Sequence, residues 1–237
     1  MAHKFWGGLL VEDLPFNYWN NNPKISIVIS IYNCENKIEL SISSIKNQNF
    51  LDFEIILVND FSSDNSLEII EKIKNRDKRI KILNNIRNMG TLNSRCIGTL
   101  KSKGKYIFPL DNDDLFLSGN LFENIYKEAE FYNYDIIEFK SFTIQNYNPN
   151  ISDIKEGAFN YHPNNLILHQ PELGLFPISN NNISYSSNDF WIFAKCLKVK
   201  IYIKSINILG EKRYSIYNCW TEDILWSLLY LILLNPI

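Results

Sequence analysis

Cysteine is scarce and scattered in this chain. Its 237 residues hold four, Cys34, Cys96, Cys196 and Cys219, and no two form a Cys-x-x-Cys pair, which argues against a zinc knuckle or a disulfide framework. A reducing, cytoplasmic setting is the simplest fit. Histidine is rarer still, and His3, His162 and His169 stand at no spacing that would share a metal. Charge of one sign is lacking as well: a formal net charge of -2 and a pI near 6.0 offer nothing to nucleic acid. The local basic run Lys72 to Lys81 reads as the solvated face of a helix and its exit loop. No apolar run approaches the roughly 20 residues of a membrane span, the longest being Ile224 to Leu234. Phe5 to Val11, broken by two glycines, makes a poor signal peptide. There is neither a Gly-x-Gly-x-x-Gly after the first apolar run nor a Walker lysine loop, so a dinucleotide or P-loop site is unsupported.

What is present is a core and a rhythm. The hydrophobic content of 46% is enough for one sizeable domain, or a domain with a smaller lobe. Ile25 to Ile31 and Phe53 to Val58 are β-branched runs that end in polar residues, as buried parallel strands do. Between them Ile38, Ile42 and Ile45 recur at helical spacing, and after Asp64, a cap, so do Leu67, Ile70 and Ile73. Strands at Ile80 to Leu83, Tyr106 to Leu110 and Asp135 to Phe139 alternate with helices at Thr91 to Lys101 (Leu92, Cys96 and Leu100 inward) and Leu121 to Phe131. This predicts an α/β fold with a doubly wound, mostly parallel sheet. Residues 1–22 form an aromatic arm (Phe5, Trp6, Phe16, Tyr18, Trp19), suited to packing on the domain or to a peripheral membrane contact. Residues 23–139 form the α/β half. Residues 140–237 form a second half that opens loop-rich from Lys140 to Asn188, regains order as a strand or packed turn at Asp189 to Val199, and closes on a helix from Glu222 to Leu234. The apolar face of that helix asks for a cover, from a partner chain or homodimer or from residues beyond a truncated C-terminus.

The stretch Leu110-Asp111-Asn112-Asp113-Asp114 puts three carboxylates at the end of an apolar strand. Such carboxylates repel one another and resist desolvation, so a divalent cation is one solution; an acidic turn with a helix cap at Asp113 or Asp114 is the other. In doubly wound sheets ligands gather beyond the carboxyl ends of the strands. Tyr32 with Asn33, Asn59 with Asp60, and Asp111 to Asp114 are therefore expected to converge on one crevice, which favours the cation.

These elements resemble glycosyltransferase family 2, inverting enzymes of the GT-A fold. Ile27-Val28-Ile29-Ser30-Ile31-Tyr32-Asn33 is similar to the family's opening strand. Leu57-Val58-Asn59-Asp60-Phe61-Ser62-Ser63-Asp64 resembles Val-Asp-Asp-Gly-Ser-Thr-Asp, with Asn59 in place of the first Asp and Phe61 in place of Gly. Asn88-Met89-Gly90 and Ser94-Arg95-Cys96-Ile97-Gly98 resemble Asn-x-Gly and Ala-Arg-Asn-x-Gly. Asp111 to Asp114 resembles the family's Asp-x-Asp-Asp, and Trp220-Thr221-Glu222-Asp223 its Glu-Asp pair. The resemblance covers residues 24–139 closely and 189–234 more loosely.

It implies a metal-dependent, inverting transfer of sugar from a nucleotide-sugar, a UDP-sugar first among them, to a hydroxyl of a glycan, lipid or protein-linked acceptor. Ser30, Tyr32, Asp60, Arg95 and Asp111 would then bind the donor. Asp113, with Asp111, would hold Mn²⁺ or Mg²⁺, and Asp223 would be the catalytic base. Plainer roles stay open: Tyr32 as a strand-end aromatic, Asp60 as a turn cap, Arg95 as the partner of a carboxylate, Glu222 and Asp223 as favourable charges at a helix N-terminus. So do two alternatives, a non-catalytic binding subunit of the same fold and a haloacid-dehalogenase-like phosphohydrolase.

Overall fold

The computed structural model describes residues 22–138 and 195–209, together with the short antiparallel strand pairs Phe5–Trp6 with Leu9–Leu10, Phe142–Ile144 with Ile154–Glu156, and Ile178–Ser179 with Asn182–Ile183. Its main sheet is built from β1 (Ile25–Ile31), β2 (Phe53–Asn59), β3 (Ile80–Asn84), β4 (Tyr106–Leu110), β5 (Ile136–Glu138) and β6 (Lys195–Lys198). The helices are α1 (Ile38–Lys46), α2 (Ser66–Lys74), α3 (Thr91–Leu100), α4 (Leu121–Tyr132) and α5 (Val199–Leu209). The strand order is β3-β2-β1-β4-β6-β5. β1 to β4 run parallel, while β6 is antiparallel to both β4 and β5. The expected mixed, mostly parallel doubly wound sheet is present.

All seven residues of β1 and all seven of β2 are buried, because helices cover both faces. Period-two alternation divides their side chains between two cores. Ile25, Ile27, Ile29, Ile31, Ile55 and Leu57 pack with α1, α2 and α4 on one face, and Val28, Ile56 and Val58 with α3 and α5 on the other. A Cβ added at Gly98 would collide with the Val28 side chain and lie 3.1 Å from Val58 Cγ2. The glycine thus lets α3 ride close to the sheet.

Several local expectations are corrected. Leu100 is 48% exposed, because it lies at the last turn of α3, past the covered stretch; Thr99 is buried in its stead. Val199 opens α5 where only a strand or packed turn was expected. Asn65 holds the position before α2 but makes no side-chain cap bond; the expected capping is done by Asp64, whose Oδ1 accepts from Ser66 N, the first residue of the helix, at 3.0 Å. Within the basic run, Arg79 is buried, its Nη2 2.7 Å from Asp77 Oδ2 and its guanidinium 4.3 Å from the centre of the Phe53 ring. The expected helix Glu222 to Leu234 lies outside the described residues. Among the described residues no helix is long and apolar enough to cross a membrane.

Candidate functional site

The strand order reverses between β1 and β4, since β2 and β3 extend one way and β6 and β5 the other. Connections diverge there and leave a crevice at the carboxyl ends of the strands. Tyr32 and Asn33 follow β1, Asp60 follows β2, and Asp111 follows β4. The predicted convergence of Tyr32, Asp60 and Asp111 on this edge is what the sheet produces.

Asp60 is buried, with 1% exposure, and three donors meet its carboxylate. Asn85 Nδ2 and Met89 N donate to Oδ1 at 2.7 and 2.8 Å, and Gly90 N donates to Oδ2 at 2.8 Å. A buried carboxylate needs this satisfaction. Asp60 thereby fixes the loop between β3 and α3. Gly90, at φ 84, is the residue before α3, and a residue without Cβ takes that backbone at little cost. Asn85, which the sequence did not single out, also donates to Ser94 Oγ at 2.9 Å; its one legible signal is its place in the polar run after β3.

On the β1 side, Asn33 adopts φ 46, and its Oδ1 accepts from Ser63 N at 2.9 Å. Tyr32 is 48% exposed beside it. Ser30 is buried, and its carbonyl accepts from Asn112 Nδ2 at 3.1 Å, so the acidic stretch is stitched to the end of β1 through a residue that sequence reasoning passed over.

Asp111 to Asp114 form a turn in which Asp114 N donates to Asp111 O at 3.2 Å. The expectation of a helix cap at Asp113 or Asp114 fails, since α4 starts at Leu121 with Asn120 before it. The intervening segment is anchored instead. Phe116 packs edge-on to Phe108 and Phe122, with ring centres 5.9 and 5.0 Å away, and Gln48 Nε2 donates to Ser118 O at 2.6 Å. Two cations attend the carboxylates. Arg95, 2% exposed on α3, pairs through Nη2 with Asp111 Oδ1. Lys37, from the loop before α1, brings Nζ to 3.1 Å from Asp113 Oδ2. Burial pushes the Asp114 carboxyl up to about 6, with the like charges of Asp111 and Asp113 adding to the push and Arg95 opposing it. Asp114 is nonetheless an exposed residue, so water weakens the burial push as well as screening the like charges, and the upward direction is what stands.

The donor set suits a hard divalent cation, all oxygen and crowded with negative charge. Among the described residues, however, no three His, Cys, Asp or Glu side chains are grouped so as to hold a metal ion by themselves. A cation here would complete its shell with water or with oxygens of a bound phosphate ester. Asp223 and Glu222 lie outside the described residues.

The family model for glycosyl transferase family 2 matches residues 26–193. An uncharacterised glycosyltransferase of Haemophilus influenzae is 45% identical over 95 residues, covering 40% of this chain and 29% of that protein. The cholesterol galactosyltransferase of Borreliella burgdorferi is 35% identical over 127 residues, covering 54% of this chain and 34% of the other. The chain thus matches only about a third of the length of these relatives. Among solved structures, S. aureus TarS 1-349 in complex with UDP superposes with a TM-score of 0.59 at 18% identity, covering 88% of this chain and 55% of that one.

Proposed function

This chain belongs to glycosyl transferase family 2, and from that premise we propose that it carries the donor half of a metal-dependent, inverting glycosyltransferase that uses a UDP-sugar and a hydroxyl acceptor on a glycan, lipid or protein. The observation that carries the proposal is the meeting of Tyr32, the Asp60-braced loop and the Asp111–Asp114 turn at the switch between β1 and β4. Membership of this family sets the phosphohydrolase alternative aside.

The roles follow from the chemistry. Tyr32 offers an exposed aromatic face to a nucleobase. Asp60 holds the wall formed by Asn85 to Gly90. Arg95 is a positioning residue: its buried guanidinium holds the Asp111 carboxylate in place at the end of β4. Asp113, with Asp111, would hold Mn²⁺ or Mg²⁺, which supplies charge neutralisation for the departing diphosphate. The acceptor oxygen attacks the anomeric carbon as the bond from that carbon to the phosphate oxygen breaks, and the hydroxyl proton passes to a carboxylate, for which Asp223 is the candidate. A single in-line displacement inverts the anomeric configuration. UDP is preferred as the nucleotide because it is the one bound in the S. aureus TarS structure that shares the fold.

A thermal-shift panel of UDP, GDP and CDP, each with and without Mn²⁺, on wild type and Asp113→Ala tests this. The expected outcome is stabilisation by one nucleotide that needs Mn²⁺ and is lost in the variant. No metal-dependent stabilisation by any of the three would sink the proposal. Asp223→Asn is expected to abolish sugar transfer while leaving that stabilisation intact; transfer that survived the change would remove Asp223 as the base.

A further inference from the structure

Phe61 follows Asp60 with φ 63, a backbone region that a residue bearing a bulky side chain rarely adopts and that glycine enters freely. Its surroundings hold it there. Asp60 N donates to Ile31 O at 2.8 Å, Ser62 N to Asn59 Oδ1 at 3.2 Å, and Ser63 N to Asn33 Oδ1 at 2.9 Å, so the turn is fixed on both sides of the strained residue. Burial does not repay the strain, because Phe61 is 58% exposed. Neither backbone preference nor core packing accounts for an aromatic at this position, and strain retained without a packing return is a mark of functional positions.

Its neighbour supplies the context. The register of β1 on β2 pairs Ile31 with Asn59, so Tyr32 and Asp60 come one residue later on adjacent strands and Phe61 directly after. Two exposed aromatics, Tyr32 and Phe61, therefore flank the buried Asp60 at the carboxyl ends of β1 and β2, beside the crevice that the reversal of strand order opens between β1 and β4.

We propose that Phe61 is a further donor-binding residue, forming with Tyr32 an aromatic rim that contacts the nucleobase of the donor. Nucleobases present apolar π-faces that stack on aromatic rings with little dependence on sequence, and a second ring beside Tyr32 adds contact area without needing a hydrogen-bond partner. This inference rests on the reading of the crevice as a nucleotide-sugar donor site, and the experiment separates the two. Isothermal titration with Mn²⁺ present compares inorganic pyrophosphate, which lacks a base, with whichever of UDP, GDP and CDP stabilises the wild type most, on wild type, Phe61→Gly and Phe61→Tyr.

Phe61→Gly is expected to weaken the nucleotide roughly tenfold and to leave pyrophosphate binding and the melting temperature unchanged or higher, since glycine accepts the left-handed turn. Phe61→Tyr is expected to bind the nucleotide as wild type does. Equal nucleotide affinity in Phe61→Gly and wild type would overturn the inference while leaving the donor-site reading intact. A matching loss for pyrophosphate would also overturn it, because the ring would then be shaping the turn and not touching the base. A wild type that bound none of the nucleotides would sink the donor-site reading and this inference with it.

Discussion

Lys37 Nζ stands 3.1 Å from Asp113 Oδ2, a contact made across 76 residues of sequence. It places a fixed positive charge on the carboxylate proposed to hold a divalent cation, and the two cannot share that oxygen without repulsion. Both side chains are nearly half exposed, 44% and 46%, so solvent screening keeps the repulsion to about 1 kcal/mol. Lys37→Met should therefore tighten Mn²⁺ binding severalfold in the absence of nucleotide, as read by electron paramagnetic resonance of free Mn²⁺. Unchanged or weaker binding would show that the ammonium does not compete for Asp113.

Asp111 and Asp113, two residues apart, should differ in what they do for stability. Asp111 pairs with the guanidinium of Arg95, which is 2% exposed, and taking a carboxylate partner away from a buried charge weakens its compensation. The half-exposed position of Asp111 lets water recover part of the loss, so Asp111→Ala should cost about 1–3 kcal/mol. Asp113→Ala should fall within about 0.5 kcal/mol of wild type, since the ion pair it gives up with Lys37 is exposed and the change relieves repulsion on Asp114. Urea midpoints for the two variants check the order, and equal midpoints would mean that Arg95 is held by other groups.

Gly98 marks how closely α3 approaches β1 and β2. An alanine methyl would enter the space of the Val28 and Val58 side chains, and overpacking of this kind costs about 1–3 kcal/mol. Gly98→Ala should lower the urea midpoint accordingly and, because α3 carries Arg95, should weaken nucleotide binding with it. Ile86, 90% exposed on the loop braced by Asp60, serves as the control, where Ile86→Ala should change stability by no more than about 0.5 kcal/mol.

The parallel half of the sheet was legible because strands buried on both faces write themselves as nearly continuous apolar runs rich in β-branched residues, and Ile25–Ile31, interrupted only by two serines, and Phe53 to Val58 are such runs. The acidic turn was legible because Asp111, Asp113 and Asp114, crowded after an apolar strand, repel one another unless positive charge or a proton offsets them. Of the ion pairs, that Arg95 could partner a carboxylate was legible, but not which carboxylate, and the Lys37 pair was not legible at all. Lys37 meets Asp113, and Arg95 meets Asp111, only once α1 and α3 are laid against the sheet, and no local pattern encodes either distance. Nor was the brace beneath the site, in which Gln48 reaches Ser118 O across 70 residues and holds the segment before α4. β6 and α5 were blurred for a different reason: the strand is four residues long and runs directly into the helix, too short for either period to establish itself. Phe61 was visible as a departure from the family's glycine, but its left-handed backbone was not.

The buried pair of Asp77 and Arg79 gives a pH dependence with a defined sign. Burial alone would raise the Asp77 carboxyl, but the hydrogen bonds and positive charge of Arg79 outweigh it and hold the group below the ordinary carboxylate range. In the unfolded chain an aspartate titrates near about 3.9. A folded-state value below that means the unfolded state takes up the proton first as pH falls, so the pair's contribution is fully present above about pH 5. It is lost progressively as the pH drops through about 4 and then through the lower folded-state value. Asp77→Asn removes the titrating group and leaves a guanidinium that is 3% exposed without its counter-charge, a change that costs about 3–5 kcal/mol for a buried pair. The gap in unfolding free energy between wild type and Asp77→Asn should therefore be constant from pH 7 to about pH 5 and narrow below that, as wild-type Asp77 becomes neutral too. Urea unfolding of both proteins at pH 7, 5 and 3 measures it, and a gap that stayed constant down to pH 3 would show that Arg79 does not depress Asp77.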